Sequence, residues 1–409
     1  MRRYLILFVF LLLCQALTAA TDSLRLGYSA QGTVVDAATG RTLESVHVSI
    51  PGRRQATVTN ADGIFTIKSD KPFETVEFSF LGFRTVRQKA ESGMKVALRR
   101  ENLGLEAASI ISGDPREIAE AAVDNIWYTY CTRPELLRCF YRETLQKRKR
   151  YTYVAEAVAR LYKGPYRKGS IGQDNAALEK SRILVSQNRR DTLSVKTQGG
   201  PTMALSLDLV KNSNVLLSWE ELRLYKFEMM MPQYIGDRLQ FVIKMSPYAE
   251  VDYPLYNAIL YIDRELLTFT RIEASLDMSN SAKATRMMLV SKPASLRFYP
   301  QECSIVANYR LDGGHTRLEY LRTTMRFRCD WKKRLFKTDY TSVNELVVTD
   351  VLPEAVPIGR AERFRTTDFL DLKSAEFTDP DFWMDYNIIE PSESLEHAIL
   401  RLRRNRGKN

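Results

Sequence analysis

Residues 34–50, VVDAATGRTLESVHVSI, hold two β-branched runs joined by a turn, and their reading decides how the N-terminal part of the chain folds. Thr33 to Val35 make a strand, Asp36 starts the turn in DAATG, and Gly40 supplies a positive φ angle. Val46, Val48 and Ile50 then alternate with His47 and Ser49, which predicts a return strand and one hairpin with its apolar residues facing a core. Pro51 and Gly52 end it. Further along, ATVT (56–59) is a third strand, NADG (60–63) a turn, and IFTIK, TVEFSFLGF and KVAL continue the series. Short strands with turn signals at regular spacing predict a small β-sandwich.

The order GTVVDAATGRTLESVHVSIPG, ATVTNADGIFTI, VEFSFLGFRT resembles the carboxypeptidase regulatory-like domain, with Phe65 and the LGF corner falling in place. The resemblance covers about residues 28 to 100 and implies a prealbumin-like or Ig-like sandwich. It further implies a domain that accompanies a zinc peptidase without being catalytic, and that in Bacteroidota heads envelope proteins and outer-membrane transporters.

A zinc peptidase needs at least two placed nitrogen or sulfur donors and an open position for water. The three histidines, His47, His315 and His397, stand in separate regions, and no HExxH or HxxE pair occurs. Glu319, four residues after His315, shares a strand face with it but brings no third ligand. GxSxG, P-loop and GxGxxG motifs are absent as well. Asp237, Asp252, Asp263 and Glu265 could pair in a hydrolase, but accidental proximity is expected among 49 acids. No catalytic residue, metal site or cofactor is expected.

The address comes from the other end of the same region. Arg2 and Arg3 precede an apolar run from Tyr4 to Leu13 that ends at Thr18, Ala19 and Ala20, the pattern of a signal peptide over residues 1–20. The run is far shorter than the roughly 20 residues of a membrane-spanning helix. LLLC places Leu13 where a lipobox wants a small residue, so Cys14 is not read as an acylation site. Cleavage after Ala20 is expected, with the protein in the periplasm, on the outer membrane or at the cell surface. Cys131, Cys139, Cys303 and Cys329 remain; 131 with 139, or 303 with 329, can pair, but buried free thiols are expected.

Composition is that of a folded chain, 44% apolar and 27% charged, with a formal charge of +11. Much of the excess sits in the tail RLRRNRGKN, in Arg401, Arg403, Arg404, Arg406 and Lys408. Nucleic acid is not an expected partner of an exported chain; anionic lipid or glycan is a partner such a tail can touch, and a solvated helix end complementing the dipole is the plainer reading.

Residues 105–114 read as a linker from the sandwich (21–104) to a second region (115–409). Asp114 as N-cap and Pro115 open a helix with Ile118, Ala122 and Ile126 near one face. Beyond Pro134, the segment around Tyr151, Tyr153 and Ala155 is read as a strand. RLQFVIKMSP, NAILYIDRELLTFTRIEASLD and CSIVANYRLDGGHTRLEYLRTTMRF predict long antiparallel strands with turns at DRE and DGG. SESLEHAILRL predicts a final helix with Leu395, Ile399 and Leu402 in one buried stripe. The expected fold is thus mainly β with some α: a sandwich followed by an α+β domain built on a large antiparallel sheet. Arg264, Glu265, Arg322 and Arg326 put charge where a membrane barrel would be apolar.

YIDRELLTFTRIE resembles sheet hairpins of periplasmic lipoprotein-carrier-like folds, which implies a concavity for an acyl chain, and the whole order resembles envelope proteins of Bacteroidota. Two functions stand in contention: a non-enzymatic envelope binding or scaffold protein, and a carrier of lipid or another hydrophobic ligand. An enzyme of unknown type comes third. An envelope protein, a glycan or a lipid is the expected partner. Trp219, Tyr225, Tyr234, Tyr248, Tyr253 and Tyr256, with Phe227 among them, form the candidate ligand groove, although packing in a sheet core is the commoner fate of such residues. Metal analysis of the purified protein is expected to find no stoichiometric zinc; one tightly held zinc per chain would contradict the histidine reading.

Overall fold

In a computed structural model the chain is described over residues 27–101, 113–167, 171–188, 198–332, 335–373, 375–376 and 383–406. The signal-peptide reading, nearly all of the linker and the tail's last cation, Lys408, lie outside the described residues.

Seven short strands are described in the sandwich: β1 (Tyr28–Asp36), β2 (His47–Ser49), β3 (Ala56–Val58), β4 (Ile64–Ser69), β5 (Thr75–Ser79), β6 (Val86–Lys89) and β7 (Ser92–Leu98). They form two sheets, ordered β4-β1-β7 and β3-β2-β5-β6. The expected hairpin over residues 33–50 is therefore not made, because β1 and β2 belong to opposite sheets. The cause is local. Asp36 accepts from the backbone N–H of Ala38 at 2.8 Å, and Ser45, at φ 61°, turns the chain out of the first ladder. Gly40 and Gly63 take the positive φ angles that the two turns require. Val34, Val48, Phe65 and Phe78 are fully buried between the sheets, and the two phenylalanines meet edge to face at 5.1 Å.

Ten long strands make the second sheet: β8 (Glu135–Lys147), β9 (Arg150–Lys163), β10 (Asn175–Val185), β11 (Tyr225–Ile235), β12 (Arg238–Pro247), β13 (Tyr256–Asp263), β14 (Phe269–Leu276), β15 (Leu296–Asp312), β16 (His315–Trp331) and β17 (Thr338–Val351). Their order is β11-β12-β13-β14-β15-β16-β17-β8-β9-β10, antiparallel throughout, and short pieces at Arg363–Phe364 and Ala375–Glu376 pair with β10. The DGG turn joins β15 to β16 with Gly313 and Gly314 at φ 60° and 83°. The region after Pro134 is strand on both sides of Arg148 and Lys149, so its first half, left open by the sequence, is β8.

Period-two alternation divides the sheet into two faces. One carries Leu137, Tyr141, Ala157, Ile243, Leu260 and Tyr309 and packs under the helix Pro115–Asp124 and the segment from Gly200 to Leu222. That helix starts as its sequence predicts, with the Asp114 side chain accepting from Arg116 N–H at 2.7 Å. Tyr225 and Tyr256 are buried in this core.

The other face carries polar side chains together with a buried apolar patch of Phe140, Val158, Tyr320 and Val347, and is covered by the sandwich, through Val58, and by an irregular strap from Trp383 to Pro391. Glu156, unexposed on β9, accepts from Arg142 Nε and Arg182 Nε at 2.8 Å each and from the Trp383 indole at 3.2 Å. Burial alone would raise this carboxyl, but the two guanidiniums hold it below the usual glutamate value. Arg142 also donates to Ile389 O at 2.6 Å. On its far side the strap meets the sandwich: Thr57 donates to Ile388 O at 2.8 Å, and Asn387 exchanges two hydrogen bonds with the Lys68 backbone at 2.7 and 3.0 Å.

The helix Glu393–Arg406 follows, and Leu395, Ile399 and Leu402 pack on Val154 and Leu184. Leu395→Ala is expected to cost about 2–5 kcal/mol, as other buried leucine truncations do. His397→Ala on the exposed face should stay within about 0.5 kcal/mol. Urea titration of both variants measures the difference.

Candidate functional site

The aromatic residues singled out by sequence fall in three places. Trp219, Tyr248 and Tyr253 are exposed near the start of β11, where Tyr248 donates to Arg223 O at 2.8 Å and Tyr253 to Glu221 at 2.7 Å. Tyr225 and Tyr256 lie inside the core, joined by a hydrogen bond from Tyr256 N–H to the Tyr225 hydroxyl at 3.2 Å. Tyr234 stands at the far end of β11, where its carbonyl accepts from Gly82 N–H of the sandwich at 2.8 Å. The six are therefore distributed along one strand and its neighbours rather than gathered on one surface.

What the fold does gather is a mixed set of polar and apolar side chains. Where β2, β5 and β6 of the sandwich overhang β12, β14, β15 and β16, a cleft of about 450 Å³ opens. Its sandwich wall includes His47, Arg53, Glu77 and Arg87 beside Phe80 and Leu81; its sheet wall includes Arg238, Gln240, Thr270, Asn308, Arg310 and Glu319 beside Ile235, Leu266 and Leu311. Most of these groups are oriented by neighbours. Arg87 donates to Glu77 at 2.6 Å, Arg271 to Asn308 at 2.8 Å, and Thr270 to Gln240 at 2.7 Å. Arg238 grips Asp263 and also reaches Glu265 at 3.0 Å, so two of the carboxylates considered for a hydrolase are ion-paired to one guanidinium.

His47 and Glu319 meet at the back of the cleft. The Nδ1 to Oε1 distance is 2.8 Å, close but off the line of a good hydrogen bond, and Arg310 lies 3.3 Å from His47 Nε2 and 3.4 Å from the same carboxylate oxygen. Glu319 was noted in the sequence for its distance from His315; its partner is instead His47, which comes from the other sheet system. His315 and His397 are exposed. Burial alone would raise the Glu319 carboxyl, yet His47 and Arg310 hold it below its ordinary value.

A second charged cluster lies in the core of the opposite face. Lys163 contacts Asp208 at 2.7 Å and Asp174 at 3.3 Å; Tyr166 and Tyr309 donate to Asp208 at 2.7 and 2.9 Å; Lys211 joins Asp174 and donates to Gly164 O at 2.6 Å. Burial and the neighbouring Lys163 push the Lys211 ammonium down to about 8. This cluster is closed on itself and buried, which makes it a structural brace. A void of about 30 Å³ beside Tyr141 and Met203 is far smaller than the roughly 300–1,000 Å³ of ligand pockets. Cys131, Cys139, Cys303 and Cys329 are free thiols, and burial raises the first three above the ordinary range. Among the described residues no group of three or more His, Cys, Asp or Glu could hold a metal ion, and no helix is long and apolar enough to cross a membrane.

Fold and cleft together define a two-part β protein, a small sandwich clamped to the polar face of a large antiparallel sheet. Residues 30–109 match the family model of the CarboxypepD_reg-like domain, a regulatory rather than catalytic module. No curated protein matches the chain. Among solved structures, a DUF1329 family protein from Desulfovibrio piger aligns with 61% of this chain and 100% of its own, at 9% identity and a TM-score of 0.25. An outer membrane lipoprotein-sorting protein domain from Vibrio parahaemolyticus aligns with 58% of this chain and 91% of its own, at 11% identity and a TM-score of 0.23. Likenesses this loose carry no argument about ligands.

The lowered Glu319 carboxyl has a pH consequence. Its stabilising effect is present above the unfolded value of about 4.3 and is lost as pH falls through the lower folded value. Glu319→Gln is therefore expected to weaken the protein at neutral pH and to flatten the acid limb of its stability profile, which denaturant titrations at a series of pH values will show.

Proposed function

We propose that this chain is a non-enzymatic cell-envelope binding protein, exported by residues 1–20, whose sandwich (21–104) and α+β unit (115–409) form a ligand cleft between them. The observation that carries the reading is the cleft's lining: amides, hydroxyls and charge-paired arginines held in place from two walls, with the His47–Glu319–Arg310 group at its back. Such a lining suits a hydroxyl-rich glycan, which hydrogen-bonds to oriented arginine, amide and carboxylate groups. The alternative, a carrier of lipid, requires an apolar hollow under the sheet, and the apolar face is instead packed with side chains around the Lys163–Asp208 brace.

A glycan array followed by calorimetric titration tests the proposal. The retained oligosaccharide should lose about tenfold in affinity with Asn308→Ala or Arg310→Ala, the loss of roughly one hydrogen bond to a charged or oriented group. Trp219→Ala, Tyr248→Ala and Tyr253→Ala should bind as the parent does; loss of binding in these variants would move the site to the exposed aromatics. Retention of no glycan would overturn the reading.

A further inference from the structure

At the end of the sheet opposite the DGG turn, three turns are brought side by side by strand register. Leu296 pairs with Trp331, Cys329 with Thr338, Tyr340 with Lys147, and Lys147 with Arg150. The entry to β15, the facing ends of β16 and β17 and the β8–β9 turn therefore share one rim. On it Leu335 and Phe336 are 95% and 74% exposed. Arg148, Lys149, Arg150, Lys332 and Lys337 are exposed around them, and Arg401 of the last helix lines the same open basin as Leu335 and Phe336. Among the described residues here, Asp339 holds Arg328 at 2.6 Å, and Asp330 lies 3.9 Å from Lys337.

Scattered exposed apolar residues are ordinary, but an adjacent leucine and phenylalanine inside a ring of cations form a composite surface. It stands on a stiff base. Phe298 stacks on Phe327 at 5.0 Å and Phe327 on Tyr340 at 5.7 Å, immediately inside the rim. The β8–β9 turn places Arg148 at φ 57°, a conformation that favours glycine or asparagine, and its N–H is held by Asp339 O at 2.7 Å.

We infer that this rim is the surface by which the protein docks on an anionic lipid bilayer. Leu335 and Phe336 enter the headgroup boundary, and the surrounding lysines and arginines meet lipid phosphates. Charge complementarity alone would admit a soluble polyanion. The apolar pair decides for the bilayer, because a polyanion leaves Leu335 and Phe336 in water whereas a membrane takes up both parts of the surface. The cleft under the sandwich lies roughly 40 Å away along β16, at the end of the sheet that then faces away from the membrane.

Sedimentation of the purified protein with vesicles of phosphatidylglycerol and phosphatidylcholine, against phosphatidylcholine alone, tests the inference. The protein should pellet with the anionic vesicles, less so as salt is raised. The double variant Leu335→Ser/Phe336→Ser should lose about tenfold or more in partitioning, and the triple variant Arg148→Gln/Lys149→Gln/Lys337→Gln should lose binding at moderate salt. All five side chains are exposed, and thermal melts check that the fold is kept. In the otherwise parental chain, Phe336→Trp should shift its emission to the blue on anionic vesicles. Failure to pellet with anionic vesicles overturns the inference. So does anionic-vesicle binding that the serine variant leaves unchanged, or capture by dextran sulfate as strong as capture by vesicles, since cations alone would then account for the binding.

Discussion

One buried carboxylate anchors the strap on which the sandwich of this protein is seated. Glu156 has no solvent, and its charge is tolerated in the sheet because Arg142 and Arg182 close on its two oxygens from neighbouring strands while the Trp383 indole fills the remaining direction. Each arginine is in turn buried, so the group is stable only when complete; removing one member of such a set leaves an uncompensated charge, at a cost of about 3–5 kcal/mol. Arg142 also donates from Nη2 to Ile389 O, which fixes the strap, and the strap's neighbouring carbonyl and side chains receive the sandwich. The strap, which places the sandwich together with direct contacts such as Glu44 to Arg322 at 2.7 Å, thus rests on this ion group.

The same separation of faces accounts for the chemistry on each side. Along β15, Ile305, Ala307 and Tyr309 turn into the apolar core, while Asn308 and Arg310 turn to the cleft. A face with alternating amides and guanidiniums would be ordinary solvent-exposed sheet on its own. Roofed by the sandwich, it becomes a recess in which most polar groups already have a neighbour setting their direction, so a ligand meets preorganised donors.

How much of this was legible in the sequence follows from range. Turn chemistry is local, so NADG, DGG, the Asp114–Pro115 helix start and the stripe of Leu395, Ile399 and Leu402 are readable where they stand. Pairing is not: Val34 and Val48 show the right alternation for a hairpin, and nothing nearby reveals that they enter opposite sheets. His47 looks like the polar half of an alternating strand because its partner, Glu319, is on β16. The aromatics from Trp219 to Tyr256 form a group in sequence, but strand direction carries Tyr234 to one end and Tyr248 to the other, and core packing takes Tyr225 and Tyr256. The cleft itself, assembled from segments hundreds of residues apart, leaves no local mark beyond an ordinary mixture of Arg, Asn and Gln.

The strap also sets an order of events. Thr57 and Ile388 are 331 residues apart in sequence, as are Asn60 and Pro391, yet they bond directly. The sandwich leaves the ribosome first and has all its own strands early, so it can close its core on local contacts. Its docking site is not complete until the strap has been synthesised and laid across β8 and β9. A nascent chain must therefore carry a finished sandwich beside an unfinished sheet, with the polar roof of the cleft uncovered. The strap thus adds the longest-range contacts last, and a truncation that removes it should leave a well-formed sandwich held to the sheet only by direct contacts such as Glu44 with Arg322 and Gly82 N–H with Tyr234 O.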